Sequence, residues 1–185
     1  MGEKRECALI TGASSGIGLE IAKVLASQNY DLIICARREK ELQDLAEEIT
    51  REHTVNCKVI VADLTTEEGV DLLIKDSGDV DILVNNAGFG ILGDHLDMQL
   101  GRQLEMIELN IHALTRLSHV FGNLMVKKGK GRIMNVASIA SYISGPSFAV
   151  YCATKAYVLS YSRALHKELK NKGVTVTALC PGYVT

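Results

Sequence analysis

Short apolar runs rich in β-branched residues recur at 7–11, 31–36, 57–61, 80–85, 132–137 and 174–180, and each reads as a strand. The stretches between them carry apolar residues at helical spacing, so the pattern predicts six strands, each separated by a helix. The strands are apolar on both faces, as Leu32-Ile33-Ile34-Cys35-Ala36 and Ile82-Leu83-Val84 show. Such strands belong to a parallel sheet covered by helices on both sides, and right-handed crossovers then give a doubly wound α/β fold. No linker, charge block or internal repeat divides the chain, and its two prolines, Pro146 and Pro181, both follow strands. Residues 1–185 therefore read as one domain.

Composition narrows the function. With 47% hydrophobic but only 5% aromatic residues and no Trp, the core is built from Leu, Ile, Val and Ala, which leaves no stacking platform for nucleic acid. The 20 basic and 22 acidic residues give a formal charge of −2, so no broad basic face is expected. The one basic knot, Lys127-Lys128-Gly129-Lys130, reads as a solvated turn. Five cysteines, Cys7, Cys35, Cys57, Cys152 and Cys180, are widely spaced with no C-x-x-C pair and read as reduced core thiols. His53, His95, His112, His119 and His166 lack ligand spacing, so no metal is expected. The N-terminus is polar, and no segment approaches the roughly 18 unbroken apolar residues of a membrane span. The expectation is a soluble, cytoplasmic protein without nucleic-acid or membrane partners.

Ligands of doubly wound sheets bind beyond the carboxyl ends of the strands. The first strand runs into Thr11-Gly12-Ala13-Ser14-Ser15-Gly16-Ile17-Gly18 and a helix to about residue 27. Gly12 permits a tight turn, Gly16 the approach of a pyrophosphate and Gly18 the packing of helix on strand, while the helix N-terminus offers free N–H groups to phosphate. After the second strand, where an acidic residue would accept a ribose 2′-hydroxyl, stand Arg37 and Arg38. They favour a 2′-phosphate, hence NADP(H) over NAD(H), or else they start the polar face of the next helix. The third strand ends in Ala62-Asp63-Leu64-Thr65, where Asp63 either accepts from an adenine amino group or caps the helix beginning near Thr66, with Thr65 the stronger cap candidate. Asn85-Asn86-Ala87-Gly88 follows the fourth strand, its amides able to pin neighbouring strands. Tyr151 and Lys155, one helical turn apart, share a face; the pair reads either as ordinary surface pairing on a helix or as a general acid/base, since a nearby ammonium favours the phenolate that such a group must visit. Ser138, just past the fifth strand, faces the same crevice.

Together these residues resemble the short-chain dehydrogenase/reductase family: T-G-x-x-x-G-x-G as Thr11 to Gly18, N-N-A-G as Asn85 to Gly88, Ser138, Y-x-x-x-K as Tyr151 to Lys155, and P-G as Pro181-Gly182, in family order over nearly the whole chain. The resemblance implies a Rossmann-type sheet of order 3-2-1-4-5-6. It also implies hydride transfer between a nicotinamide and a small carbonyl or secondary alcohol, with Asn110, Ser138, Tyr151 and Lys155 as catalytic residues. In that scheme Tyr151 exchanges a proton with the substrate oxygen and Ser138 orients that oxygen. Lys155 lowers the tyrosine pKa and binds the nicotinamide ribose, and Asn110 holds a relay water, although by its residues alone Asn110 reads equally as a satisfied mid-helix amide. The cofactor is expected along Gly12, Ser14, Ser15, Gly16, Ile17, Gly18, Arg37, Arg38, Asp63, Leu64, Asn86, Ala87, Gly88, Tyr151, Lys155, Pro181 and Gly182. Helices near 99–127 and 151–170 resemble those through which the family forms homodimers and homotetramers.

The family's sequences run on past P-G through a substrate loop and a seventh strand, whereas this chain stops at Thr185, with Thr185 standing in for the threonine that contacts the nicotinamide amide. An incomplete domain with weak or absent turnover is the expectation for this form. The competing reading is a non-catalytic dinucleotide-binding or regulatory module, or a truncated inactive form, against which the intact Ser138, Tyr151 and Lys155 speak.

Overall fold

β-Branched and leucine-rich runs without an internal proline form the strands of the computed structural model, which describes residues 5–182. They are β1 (Cys7–Thr11), β2 (Asp31–Ala36), β3 (Cys57–Val61), β4 (Ile82–Asn85), β5 (Gly131–Val136) and β6 (Val174–Leu179). All pair in parallel in the order β3-β2-β1-β4-β5-β6. The connecting helices are α1 (Gly16–Ser27), α2 (Glu39–Glu52), α3 (Glu67–Ser77), α4 (Leu100–Ile107), α5 (Leu114–Lys128) and α6 (Ala149–Leu169). The chain reverses its direction of travel across the sheet between β1 and β4, and a crevice opens there beyond the strand ends.

The doubly apolar strands divide their side chains between two cores. Ala8, Ile10, Leu32, Ile34 and Val84 pack with Ala22 of α1 and Leu42, Leu45 and Ile49 of α2. Leu9, Ile33, Leu83, Ile133 and Val176, one residue out of phase, pack on the other face with Leu73 of α3 and Leu117, Phe121 and Met125 of α5. Among the described residues no helix is long and apolar enough to cross a membrane.

Local chemistry moves several boundaries. β4 starts at Ile82 rather than Val80; Asp81, just before it, still donates from its backbone to Cys7 O and accepts from Arg132 N, and its carboxylate accepts from Cys7 N at 2.9 Å. β5 begins at Gly131 and ends at Val136, and β6 ends at Leu179, one residue short of Cys180. Thr66, not Thr65, caps α3, its hydroxyl accepting from Gly69 N at 3.0 Å. The basic knot is paired rather than merely solvated: Lys128 meets Asp79 and Asp81, Lys130 meets Glu6, and Gly129 ends α5 in the left-handed region at φ 70°. All five cysteines are free thiols, but only Cys35 and Cys152 are fully buried.

Candidate active site

The loop between β1 and α1 forms the floor of the crevice. Gly12 sits at φ 67°, and a Cβ there would lie 2.8 Å from the Ala87 Cα, so only glycine lets this turn pass beneath the β4 loop. A Cβ on Gly18 would stand 2.5 Å from the Gly12 carbonyl oxygen and closer still to Asn86 Nδ2. Gly18→Ala is accordingly expected to destabilise the protein by about 3 kcal/mol, the cost of overpacking against backbone that cannot retreat. Urea unfolding measures this, and a loss under about 1 kcal/mol would show that the loop yields. Gly16, expected at the pyrophosphate, lies outside the crevice at φ 57°, where its missing side chain faces open space. Ser15 makes no side-chain cap on α1, and the first turn holds no acidic residue, so the helix N-terminus keeps its donors for an anion.

Arg38 closes one side of this loop, donating to Ser14 Oγ at 2.9 Å and to Ser15 Oγ at 2.6 Å, and it also reaches Glu41 one turn on. Arg37 reaches the Asp63 carboxylate at 3.7 Å. Burial pushes the Asp63 carboxyl up, but hydrogen bonds from Thr65 N and Oγ1 and the charge of Arg37 outweigh it and hold the group below its ordinary range. Both arginines, Asp63 and Leu64 line the crevice at the ends of β2 and β3.

Thr11 opens the glycine motif, but the sequence assigns its side chain no role. Its Oγ1 accepts from both Asn86 N and Ala87 N at 3.0 Å. Asn86 spends its amide donors on the Thr11 and Gly12 carbonyls, so it borders the cavity as a fastener of the loop. One residue earlier, Asn85 donates to Ser118 and Asn135, and Asn135 donates to Ser162, a buried ladder that ties β4 and β5 to α5 and α6.

Asn110 is buried in a π turn, Glu108–Ala113, which interrupts the long helix expected over 99–127. The wider turn rotates the side chain toward the β4 loop. Its Oδ1 accepts from Phe89 N at 3.1 Å, and its Nδ2 donates to Phe89 O and to Thr154 Oγ1. Asn110 thus stands behind the cavity wall rather than on its surface.

Ser138 follows β5 in extended conformation, its Oγ accepting from Ala140 N at 3.1 Å, which leaves the hydroxyl proton to donate elsewhere. Tyr151 and Lys155 lie one turn apart near the start of α6, with the Lys155 ammonium 5.9 Å from the tyrosine ring centroid. Lys155 is buried and donates to Val136 O at 2.8 Å. Burial lowers its pKa to about 8, against a smaller opposing effect of the Cys180 thiol. Ser141 Oγ donates to the Lys155 carbonyl, tying the turn after Ser138 to α6. Gly90 leaves room for the phenol, since a Cβ there would lie 2.8 Å from the ring.

These groups surround one cavity of about 500 Å³, which runs along the strand ends from Arg37 and Arg38 past Gly12 and Gly88 to Ser138, Tyr151 and Lys155, with Pro181 and Gly182 at its far rim. Of the residues expected at the site, Gly16, Gly18 and Asn110 do not line it, and Thr185 lies outside the described residues. The cavity fits a dinucleotide: uncapped helix donors and a glycine turn at its centre suit a pyrophosphate, and two guanidinium groups suit a further phosphate.

Residues 6–185 match the short chain dehydrogenase family. An uncharacterized oxidoreductase of Staphylococcus epidermidis is 34% identical over 185 aligned residues, covering 98% of this chain and 79% of the relative. The bulky-bulky ketone specific alcohol dehydrogenase from Comamonas testosteroni superposes with a TM-score of 0.92 at 35% identity, over 97% of this chain and 73% of its own. A short-chain dehydrogenase from Sphingobium yanoikuyae, solved in complex with NADPH, gives 0.93 at 34% identity, over 97% and 72%. Sequence match and shared fold run together from the first strand to the last, and this chain belongs to the short chain dehydrogenases, oxidoreductases that work with a nicotinamide dinucleotide.

Proposed function

We propose that the protein is an NADP(H)-dependent reductase of a small carbonyl compound, or a dehydrogenase of the corresponding secondary alcohol, acting through Ser138, Tyr151 and Lys155. The observation that carries the reading is one cavity with two guanidinium groups at one end and a serine, a phenol and a buried ammonium at the other. A bound nicotinamide supplies the hydride that adds to the carbonyl carbon. Ser138, its oxygen already held by Ala140 N, donates its hydroxyl proton in a hydrogen bond to the carbonyl oxygen and orients it. Tyr151 transfers its phenolic proton to that oxygen, completing the alcohol. Lys155, anchored on Val136 O, keeps its remaining N–H donors for the phenolate and for a ribose hydroxyl. Asn110 has committed both amide hydrogens to Phe89 and Thr154, so its side chain fastens the β4 loop to α6 instead of donating to a relay water.

Assembly as a homodimer or homotetramer through α5 and α6 belongs to the same reading, Tyr157 on α6 being an exposed aromatic there. The buried thiols of Cys35 and Cys152 speak for a cytoplasmic setting.

Titration calorimetry with NADPH and NADH tests the cofactor assignment. Arg37→Asp is expected to weaken NADPH about 30-fold and to leave NADH within about threefold, because the substitution removes a cation facing a 2′-phosphate and adds a like charge beside Asp63. Equal losses for both dinucleotides would mean that Arg37 only holds Asp63, and weak binding of both by the parent protein would overturn the reading.

A further inference from the structure

Among the described residues, Asn29 and Ser147 are the two non-glycines in the left-handed region. Asn29 follows α1, where a helix end accounts for it. Ser147, at φ 60°, lies four residues before Tyr151 and is the third residue of a tight turn, Gly145 to Phe148, in which Pro146 precedes it and Phe148 N donates to Gly145 O at 3.2 Å. The turn brings the hydroxyl and the carbonyl of Ser147 to the loop that follows β4. Ser147 Oγ donates to Asp94 Oδ1 at 2.5 Å, and Ser147 O accepts from Gly93 N at 2.9 Å. The loop is fixed in turn by the buried Gln103 of α4, whose Nε2 donates to the carbonyls of His95 and Met98.

Both flanks joined by this contact press on the Tyr151 ring. On one side stands Gly90, at the base of the loop, so close that a Cβ would overlap the ring. On the other stands Phe148, next to Ser147, with ring centroids 5.8 Å apart at an interplanar angle of 57°. We propose that Asp94 and Ser147 form a latch that holds the β4 loop against the start of α6 and thereby positions the Tyr151 phenol. They are positioning residues, acting through Gly90 and Phe148 rather than on substrate. The proposal rests on Tyr151 being the proton donor only in its kinetic consequence; the coupling of the two segments stands by itself.

The experiment compares Asp94→Ala, Ser147→Ala, their double variant, Asp94→Asn and Ser147→Gly, reading kcat for ketone reduction, Kd for NADPH and the exchange of the Gly93 amide hydrogen. Asp94→Ala and Ser147→Ala are each expected to lower kcat about tenfold, with the NADPH Kd within about twofold and the double variant no worse than either single, as for two partners of one contact. Asp94→Asn keeps an acceptor for the Ser147 hydroxyl and is expected to remain near the parent rate. Gly93 exchange is expected to accelerate at least tenfold in both alanine variants and to stay slow in Asp94→Asn. Ser147→Gly at the parent rate, additive losses in the double variant, or unchanged Gly93 exchange would each overturn the latch. A parent protein that binds NADPH but reduces no ketone would overturn the proposed function instead, and the exchange rates would still decide whether the latch exists.

Discussion

Tyr151→Phe is expected to lower kcat for carbonyl reduction by about 10²–10⁴-fold, the usual worth of a positioned general acid, while the NADPH Kd stays within about twofold. The substitution removes one oxygen and leaves the ring, so the packing against Gly90 and Phe148 is preserved and the scaffold is not disturbed. Ser138 remains to hydrogen-bond the carbonyl oxygen, but its own oxygen stays bound to Ala140 N. Single-turnover kinetics with preloaded NADPH would separate the chemical step from binding. A loss below about fivefold would mean that water delivers the proton and that Tyr151 merely shapes the cavity.

The residues that decide this prediction were legible in the sequence to different degrees. Hydrophobic patterning located all six strands, because strands apolar on both faces have few alternative placements in a parallel sheet, and strand position fixed where the glycine turn, Ser138 and Tyr151 had to fall. The Tyr151–Lys155 pair follows from helical periodicity alone. Other features depend on contacts between distant segments, which no local pattern carries. The π turn that turns Asn110 toward Phe89 has no spacing signature, and Thr11 reveals its role only once the β4 loop lies across it. Arg38 is the most instructive case. Its position after β2 suggested a phosphate ligand or a helix-face cation, yet the guanidinium spans 24 residues to hold Ser14 and 23 to hold Ser15, while also reaching Glu41. Arg37 is the freer of the two guanidinium groups, its single carboxylate partner lying 3.7 Å away.

Lys155→Met is expected to raise stability and abolish turnover together. The Lys155 ammonium titrates near 8 in the folded chain against 10.5 when solvated, so the charged form is disfavoured by folding. Between those two values the unfolded chain holds more protons than the folded one, and stability rises with pH; below about 8 the whole cost is present, about 3 kcal/mol on the linkage relation. Methionine of similar length removes that cost but leaves the Val136 carbonyl without its donor, a loss of about 1–2 kcal/mol. The balance is a gain of about 1–2 kcal/mol at pH 7, disappearing and reversing as the pH approaches 10.5. Urea unfolding at pH 7 and pH 10 reads both arms. A variant less stable than the parent by the same margin at both values would show that Lys155 is fully compensated in place, by a partner stronger than one carbonyl. Loss of kcat by at least about 100-fold in the same variant would place the ammonium among the groups that support the Tyr151 phenolate, since the substitution keeps the fold intact while removing the charge. Both outcomes in one variant would place the trade-off between stability and activity at a single side chain.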